Sequence, residues 1–131
     1  MENTIIALQG RKKSLTRLNR NSKLFKTILN AIKDKKGNNI ISLDLRKIDE
    51  AVADFFILCE AGSHTQVKAI KDNIEFEVQK ECTEKPFHTE SGDQWSLLDY
   101  VNVVIHIFQK DHRKFYNLES LWADADQMEH Q

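Results

Sequence analysis

A chain of 131 residues, 40% hydrophobic and 30% charged, has the size and composition of one globular domain. No apolar run approaches the roughly 18 residues of a membrane span, and basic residues at positions 11–17 interrupt the segment where a secretion signal would be apolar. Cys59 and Cys82 form no CxxC pair and have no histidine at ligand spacing, so we expect reduced thiols. These features predict a cytoplasmic protein with no metal and no cofactor.

The formal net charge of −1 is unevenly distributed along the chain. The first 21 residues carry five basic side chains and one acidic side chain, which gives +4 there and leaves −5 for the rest. The basic residues are Arg11, Lys12, Lys13, Arg17 and Arg20. Two interpretations of residues 1–21 stay open: an arm that contacts nucleic acid, and a flexible, solvated tail.

The body of the chain is predicted to begin at Ser22, which can cap a helix over residues 23–35. Apolar residues recur at helical spacing in that range, and lysines with a glycine end it. Branched and aromatic residues then predict strands over 39–45 and 54–60.

The next elements are a second helix and a connecting loop. Ser63 with Gln66 three residues later forms a capping box, which predicts a helix from there to about Glu81. Residues 84–93 are polar and contain the only proline, so we expect a loop with at most a short strand near Phe87 and His88.

The last part of the chain is predicted to form a hairpin and terminal helices. Apolar runs at 95–99 and 103–109 are separated by three residues, as in a tight antiparallel hairpin. Residues 111–124 alternate charged and apolar side chains and indicate one or two short helices.

The predicted order α, β, β, α, β, β, α indicates a small mixed β-sheet packed with helices, an α/β or α+β fold. We expect one domain over residues 22–126, followed by a tail at 127–131. The order also looks like the nucleotidyltransferase fold, whose chemistry needs neighbouring carboxylates to hold Mg²⁺. After Gly62 and Ser63, however, the next acidic residue is Asp72 in mid-helix, so the catalytic carboxylates are missing and we predict no catalytic residue.

One ordered set of segments resembles a known family. The segments are Ile41-Ser-Leu-Asp44-Leu, Asp54-Phe-Phe-Ile-Leu-Cys, Gly62-Ser63 with Gln66, Trp95-Ser-Leu-Leu-Asp99-Tyr100, Val104-Ile-His106-Ile-Phe108, Arg113, Tyr116 and Leu118-Glu119-Ser-Leu121-Trp122. From about Leu24 to Asp124 the chain resembles the ribosomal silencing factor, or Iojap-like, family. It departs from the family pattern at Glu90-Ser91-Gly92, where the glutamate and glycine are one residue further apart.

The resemblance implies a translation repressor that acts by binding rather than by catalysis. It implies binding to the large ribosomal subunit through the fourteenth large-subunit ribosomal protein and obstruction of subunit joining when nutrients fall. It also implies a homodimer in the free state. Two alternatives remain at this point: a nucleotidyltransferase-like enzyme, and an RNA-binding module that acts in large-subunit assembly.

The hairpin is the candidate binding surface. Trp95, Leu97 and Asp99 share one side of their strand, and a sheet covered by helices on one face only would expose such a side. Trp95 and His106 could equally be core residues. Acidic residues could steer docking to a basic ribosomal protein. The predicted partner-binding residues are Trp95, Leu97, Asp99, Tyr100, His106, Arg113, Tyr116, Glu119 and Trp122.

Overall fold

The computed structural model describes residues 19–20, 22–49, 51–113 and 125–130. The elements are helices α1 (Lys23–Asp34) and α2 (His64–Cys82), strands β1 (Asn38–Asp44), β2 (Phe55–Ala61), β3 (His88–Glu90), β4 (Trp95–Asp99), β5 (Val103–Gln109) and β6 (Asp126–His130), and a 3₁₀ turn at Lys110–His112. Within these ranges, no helix has the length and apolar character needed to cross a membrane.

The six strands form one mixed sheet in the order β3-β4-β5-β2-β1-β6. The central pair β2 and β5 is parallel, and the other neighbouring pairs are antiparallel. The hairpin of β4 and β5 and both helices lie where the sequence predicts them, within one or two residues. The predicted fold class, a mixed sheet packed with helices, is confirmed.

The two helices are joined through the capping box of α2. The Ser63 hydroxyl accepts a hydrogen bond from the backbone N–H of Gln66 at 3.2 Å. The Gln66 side chain accepts from the N–H of Gly62 at 2.7 Å and donates to the carbonyl of Lys35 at 3.0 Å. The Gln66 side chain therefore links the start of α2 to the end of α1. The sequence predicted the cap but not this link between the helices.

Ser22 occupies the N-cap position of α1, but the predicted side-chain cap is wrong. Its backbone is extended, and its hydroxyl makes no capping hydrogen bond. Instead, the hydroxyl accepts from the backbone N–H of Asn19 at 3.1 Å. The backbone N–H of Asn19 thus takes the place on the Ser22 hydroxyl oxygen that an N–H of the first turn of α1 would otherwise occupy.

The sheet is buried on both faces. On the first, which we call the helix face, α1 and α2 pack against alternate residues of β2 and β5, including Phe55, Ile57 and Ile105. On the opposite side, which we call the second face, Phe56, Leu58 and other strand residues pack with side chains of the loop at 45–54.

Two predicted boundaries need correction. Residues 127–130, expected to be a tail, belong to β6, which pairs with β1 along its length, with Ser42 opposite Met128. Short charged stretches lack the apolar alternation of a typical strand, so this edge strand gave no clear signal. Arg20, assigned to the flexible arm, donates from Nε to the Ser42 hydroxyl at 3.0 Å and belongs to the folded domain.

Several predicted features lie outside the described residues. They are Arg11, Lys12, Lys13 and Arg17 of the basic arm, the site residues Tyr116, Glu119 and Trp122, and most of the helical segment predicted at 111–124. The described start of that segment is the 3₁₀ turn that follows β5.

Candidate functional site

The second face carries an aromatic cluster, which we define as Phe56, Trp95, His106 and Phe108. Trp95 lies opposite Phe108 across the hairpin, and their rings stack with centroids 5.2 Å apart. The His106 ring lies 4.8 Å from Phe56 and 5.6 Å from Trp95, centroid to centroid. Trp95 pairs with Phe108 and Leu97 pairs with His106 across the hairpin. Because alternate side chains of a strand point to the same face, Trp95, His106 and Phe108 lie on one face.

A hydrogen bond inside the cluster fixes the proton of His106. The indole N–H of Trp95 donates to Nδ1 of His106 at 3.1 Å. Since Nδ1 is the acceptor, the neutral ring carries its proton on Nε2. Burial lowers the pKa of His106 to about 3, so the ring is uncharged at neutral pH.

The second nitrogen of His106 is the unusual atom of this site. Nε2 is buried and has no hydrogen-bond partner among the residues that the structure describes. A buried donor left without a partner costs about 1–3 kcal/mol of stability. The chain therefore carries a cost at the centre of β5 that an apolar side chain would avoid.

The expectation of an exposed hairpin face is wrong. Trp95 is 2% exposed and Leu97 and His106 are fully buried, so the alternative of core residues holds in this structure. The physical reason is a cover that the sequence did not indicate: loop 45–54 contributes Leu45, Val52 and neighbouring alanines to the same cluster. Both faces of the sheet are therefore shielded from water.

Asp99 and Tyr100 have local structural roles at the hairpin turn. A carboxylate oxygen of Asp99 accepts from the backbone N–H of Val101 at 2.8 Å, and Val101 has a φ of 73°. This bond supports a left-handed conformation that a branched residue rarely adopts. Tyr100 packs on the helix face, where burial raises the pKa of its hydroxyl. The structure therefore does not group Tyr100 with Trp95.

Arg113 forms a largely buried network with Glu60 and Asn39. Its Nη1 donates to the carbonyl of Asn39 at 2.8 Å and to the Glu60 carboxylate at 3.2 Å. The side-chain amide of Asn39 also donates to Glu60, at 2.9 Å. In the register of the sheet, Glu60 lies beside Phe108 and Phe108 beside Trp95, so this network stands at the same end of the sheet as Trp95.

Acidic and nucleophilic groups give no clear reaction centre in the part of the chain that the structure describes. No group of three or more His, Cys, Asp or Glu side chains there is placed to hold a metal ion. Burial raises the pKa of the Cys59 thiol to about 12, which removes its nucleophilic form at neutral pH. The fold and the site thus define a small α+β domain with a buried aromatic cluster, in which Nε2 of His106 has no partner among the described residues.

Comparison with known proteins identifies the family. A family model described as "Ribosomal silencing factor during starvation" matches residues 19–131. The chain is 37% identical over 110 residues to "Ribosomal silencing factor RsfS" of Halalkalibacterium halodurans, covering 83% of this chain and 93% of that protein. It is 38% identical over 96 residues to the protein of the same name from Bacillus subtilis, covering 72% and 80%. The chain belongs to the ribosomal silencing factor family, as its resemblance predicts.

Solved structures agree with this assignment. A crystal structure of a protein from Bacillus halodurans superposes with a TM-score of 0.71 at 34% identity, covering 84% of this chain and all of that chain. A protein from Chromobacterium violaceum also superposes with a TM-score of 0.71, at 29% identity, covering 77% of this chain and 84% of that chain.

The plant protein "Protein Iojap, chloroplastic" from Zea mays is 35% identical over 75 residues, which is 33% of its length.

Sequence reasoning missed two features of the site. The Trp95–His106 hydrogen bond could have been found from strand alternation, because the hairpin register places both side chains on one face. The pairing of Arg113 with Glu60 could not, since 53 residues separate them and no local pattern connects them.

Proposed function

We propose that this protein is a ribosomal silencing factor that binds the fourteenth large-subunit ribosomal protein on the large subunit. By occupying that place, it blocks association with the small subunit and represses translation when nutrients are limited. The observation that carries this proposal is the family match over residues 19–131. In this proposal the protein works by occupancy, in the cytoplasm, and catalyses no reaction.

The partner site that we propose lies at the end of the sheet where the aromatic cluster meets Arg113. Trp95, Leu97 and His106 supply apolar surface and one donor, and aromatic residues are common energetic anchors of protein interfaces. Tyr116, Glu119 and Trp122 remain predicted members of this site. Because Trp95 and His106 are buried in the free chain, the complex must uncover the second face before they contact the partner.

The other members of the predicted site act differently. Asp99 and Tyr100 would position the hairpin, since their contacts lie within the turn and on the helix face. Contact with ribosomal RNA stays a prediction for Arg11, Lys12, Lys13 and Arg17. Arg20 is engaged with Ser42 and Asp44, so we do not expect it to be a free phosphate ligand.

A reassociation assay with purified subunits tests the proposed function. Inhibition of subunit joining should rise with the bound fraction and reach completion near one protein per large subunit, because an occupying inhibitor follows mass action. Addition of the free fourteenth large-subunit ribosomal protein should relieve inhibition by competing for the silencing factor.

Two results would contradict this proposal. The first is substoichiometric protein that inactivates the whole subunit pool over time, which would show turnover rather than occupancy. The second is inhibition that excess free ribosomal protein does not relieve, which would place the binding site elsewhere on the subunit.

We also propose a homodimer in the free state. Within the described sheet, β6 is an edge strand, and an edge strand offers backbone donors and acceptors to a second chain. Light scattering after gel filtration should give twice the chain mass of 15.3 kDa at micromolar concentration. A constant mass of one chain at all concentrations would refute the dimer without touching the ribosome-binding proposal.

A further inference from the structure

His106 has one nitrogen that the free protein uses and one that it does not. Nδ1 accepts the indole N–H of Trp95, so this half of the ring has a structural purpose. Nε2 carries the proton, is buried, and meets no acceptor in the described part of the chain. The Trp95 bond explains why the side chain needs an acceptor at this position, but it does not explain the donor.

The residues around Nε2 are apolar, so a hydrogen-bond donor is unexpected there. Leu97 lies opposite His106 on β4 and Leu58 lies opposite it on β2, and both are fully buried. The neighbouring rings of Phe56 and Phe108 are apolar as well. Packing alone would therefore favour an apolar side chain here, and buried polar groups without partners are rare enough in proteins to require an explanation.

We propose that His106 Nε2–H is a specificity-determining donor, held in the free protein for a neutral carbonyl oxygen of the ribosomal protein partner. This inference rests on the proposed function and assigns the chemistry of one contact in it. A carbonyl fits better than a carboxylate, because the surrounding rings would leave a buried anion without solvation. A partner lacking an acceptor at this point would leave the donor unsatisfied, which is how such a site discriminates.

The donor is inaccessible until the second face is uncovered. Part of the cover comes from loop 45–54, through Leu45 at its start and the smaller side chains of Ala51, Val52 and Ala53 near its end. Moving the end of the loop, with its small side chains, exposes less apolar area than moving large ones. The partner's apolar surface would replace that cover, and its carbonyl would meet Nε2–H.

A single-atom replacement tests the donor directly. In 3-(4-thiazolyl)alanine the ring nitrogen remains at the Nδ1 position and a sulfur replaces Nε2–H. Placed at position 106, it keeps the acceptor for Trp95 and removes the unused donor. We expect an unchanged or higher melting temperature and about tenfold weaker binding to purified large subunits, because a partner acceptor is left without its donor.

Two substitutions with natural amino acids form a matched pair for the same test. The side-chain oxygen of His106→Asn reaches about as far as Nδ1 and can accept from Trp95, whereas the amide of His106→Gln reaches about as far as Nε2 and can donate there. We expect the Gln variant to bind large subunits more tightly than the Asn variant. If His106 only satisfies Trp95, the order reverses.

The outcomes distinguish a failure of this inference from a failure of the proposed function on which it rests. Wild-type protein that does not sediment with large subunits would refute the proposed function. Wild-type binding that is matched by the thiazolyl protein would refute the donor alone and leave the proposed function standing. Thermal melts of each protein establish that the molecules compared are folded.

Discussion

The two faces of the sheet are equally shielded from water but differ in composition. The helix face is built from aliphatic and Phe side chains, and its polar groups lie towards its borders, at Tyr100 on one side and at Ser42 and His130 on the other. The second face places an imidazole in the middle of β5, among aromatic rings. Burial alone therefore does not distinguish the two faces, which differ in where their polar groups lie.

The difference shows where this fold accepts a loss of stability. The helix face resembles an ordinary core, in which close packing of apolar side chains gives most of the folding free energy. Among the described residues, the buried polar atoms without a hydrogen-bond partner are the Tyr100 hydroxyl oxygen, Nη2 of Arg20 and Nε2 of His106. The His106 atom is the one that lies in the middle of β5 on the second face. Functional sites commonly carry such costs, because the groups needed for recognition are not those that pack best.

The largest effect should come from truncation on the helix face. Phe25 is fully buried and packs edge to face on Phe55 at 5.1 Å, so Phe25→Ala should lower the free energy of unfolding by about 3–5 kcal/mol. Urea denaturation measures this loss. The graded control Ile28→Val should lose only about 0.5–1.5 kcal/mol. If Phe25→Ala protein is folded but fails to bind large subunits, the helix face is also needed for binding. The proposed division of roles between the two faces would then be wrong.

A smaller effect is expected for Trp95→Phe on the second face. The Phe ring can still stack on Phe108, but Nδ1 of His106 loses its donor, so we expect a loss of about 1–3 kcal/mol. The double variant Trp95→Phe with His106→Leu removes both polar partners and should recover part of that stability in the same denaturation assay. No recovery would show that His106 contributes through packing rather than through its hydrogen bond.

Acidification should act on both faces through their histidines. Burial lowers the pKa of His106 to about 3, and burial followed by repulsion from Arg20 and Lys33 lowers the pKa of His130. Unfolded histidine binds its proton near pH 6.5, so stability is full above that value and falls by up to about 1.4 kcal/mol per pH unit for each histidine below it. For His106 the fall continues towards pH 3.

Urea midpoints measured between pH 7 and pH 4.5 test this dependence. The window lies largely above the range in which carboxylates titrate, and hydrogen bonding to Arg46 lowers the pKa of Asp44 still further. The thiazolyl replacement at position 106 and His130→Gln should each reduce the slope. A slope that neither change alters would mean that other groups bind the protons.

The smallest effect is expected outside both faces. Phe76 on α2 is 62% exposed, so Phe76→Ser should change the free energy of unfolding by less than about 0.5 kcal/mol. The same denaturation assay applies. A larger loss would reveal packing around this helix that the free chain does not show.

Local patterns in the sequence were sufficient for most of the fold. The apolar spacing in α1, the Ser63 and Gln66 cap of α2, and the runs that form β4 and β5 each depend on neighbours a few residues apart. The family resemblance, confirmed by the match over residues 19–131, also came from the order of such local segments. Strand β6 was not predicted because its five residues are largely exposed and are held as a strand by pairing with the distant β1.

Local periodicity and residue order were thus enough to establish the elements, the mixed sheet and the family. The folded sheet was needed to show that both faces are covered, that Arg113 pairs with Glu60, and that Nε2 of His106 has no partner among the described residues. Each of these depends on contacts between residues far apart in the chain or on which face a loop covers. Local patterns carry no information about such contacts, because the free energy that selects them arises only when the whole sheet has formed.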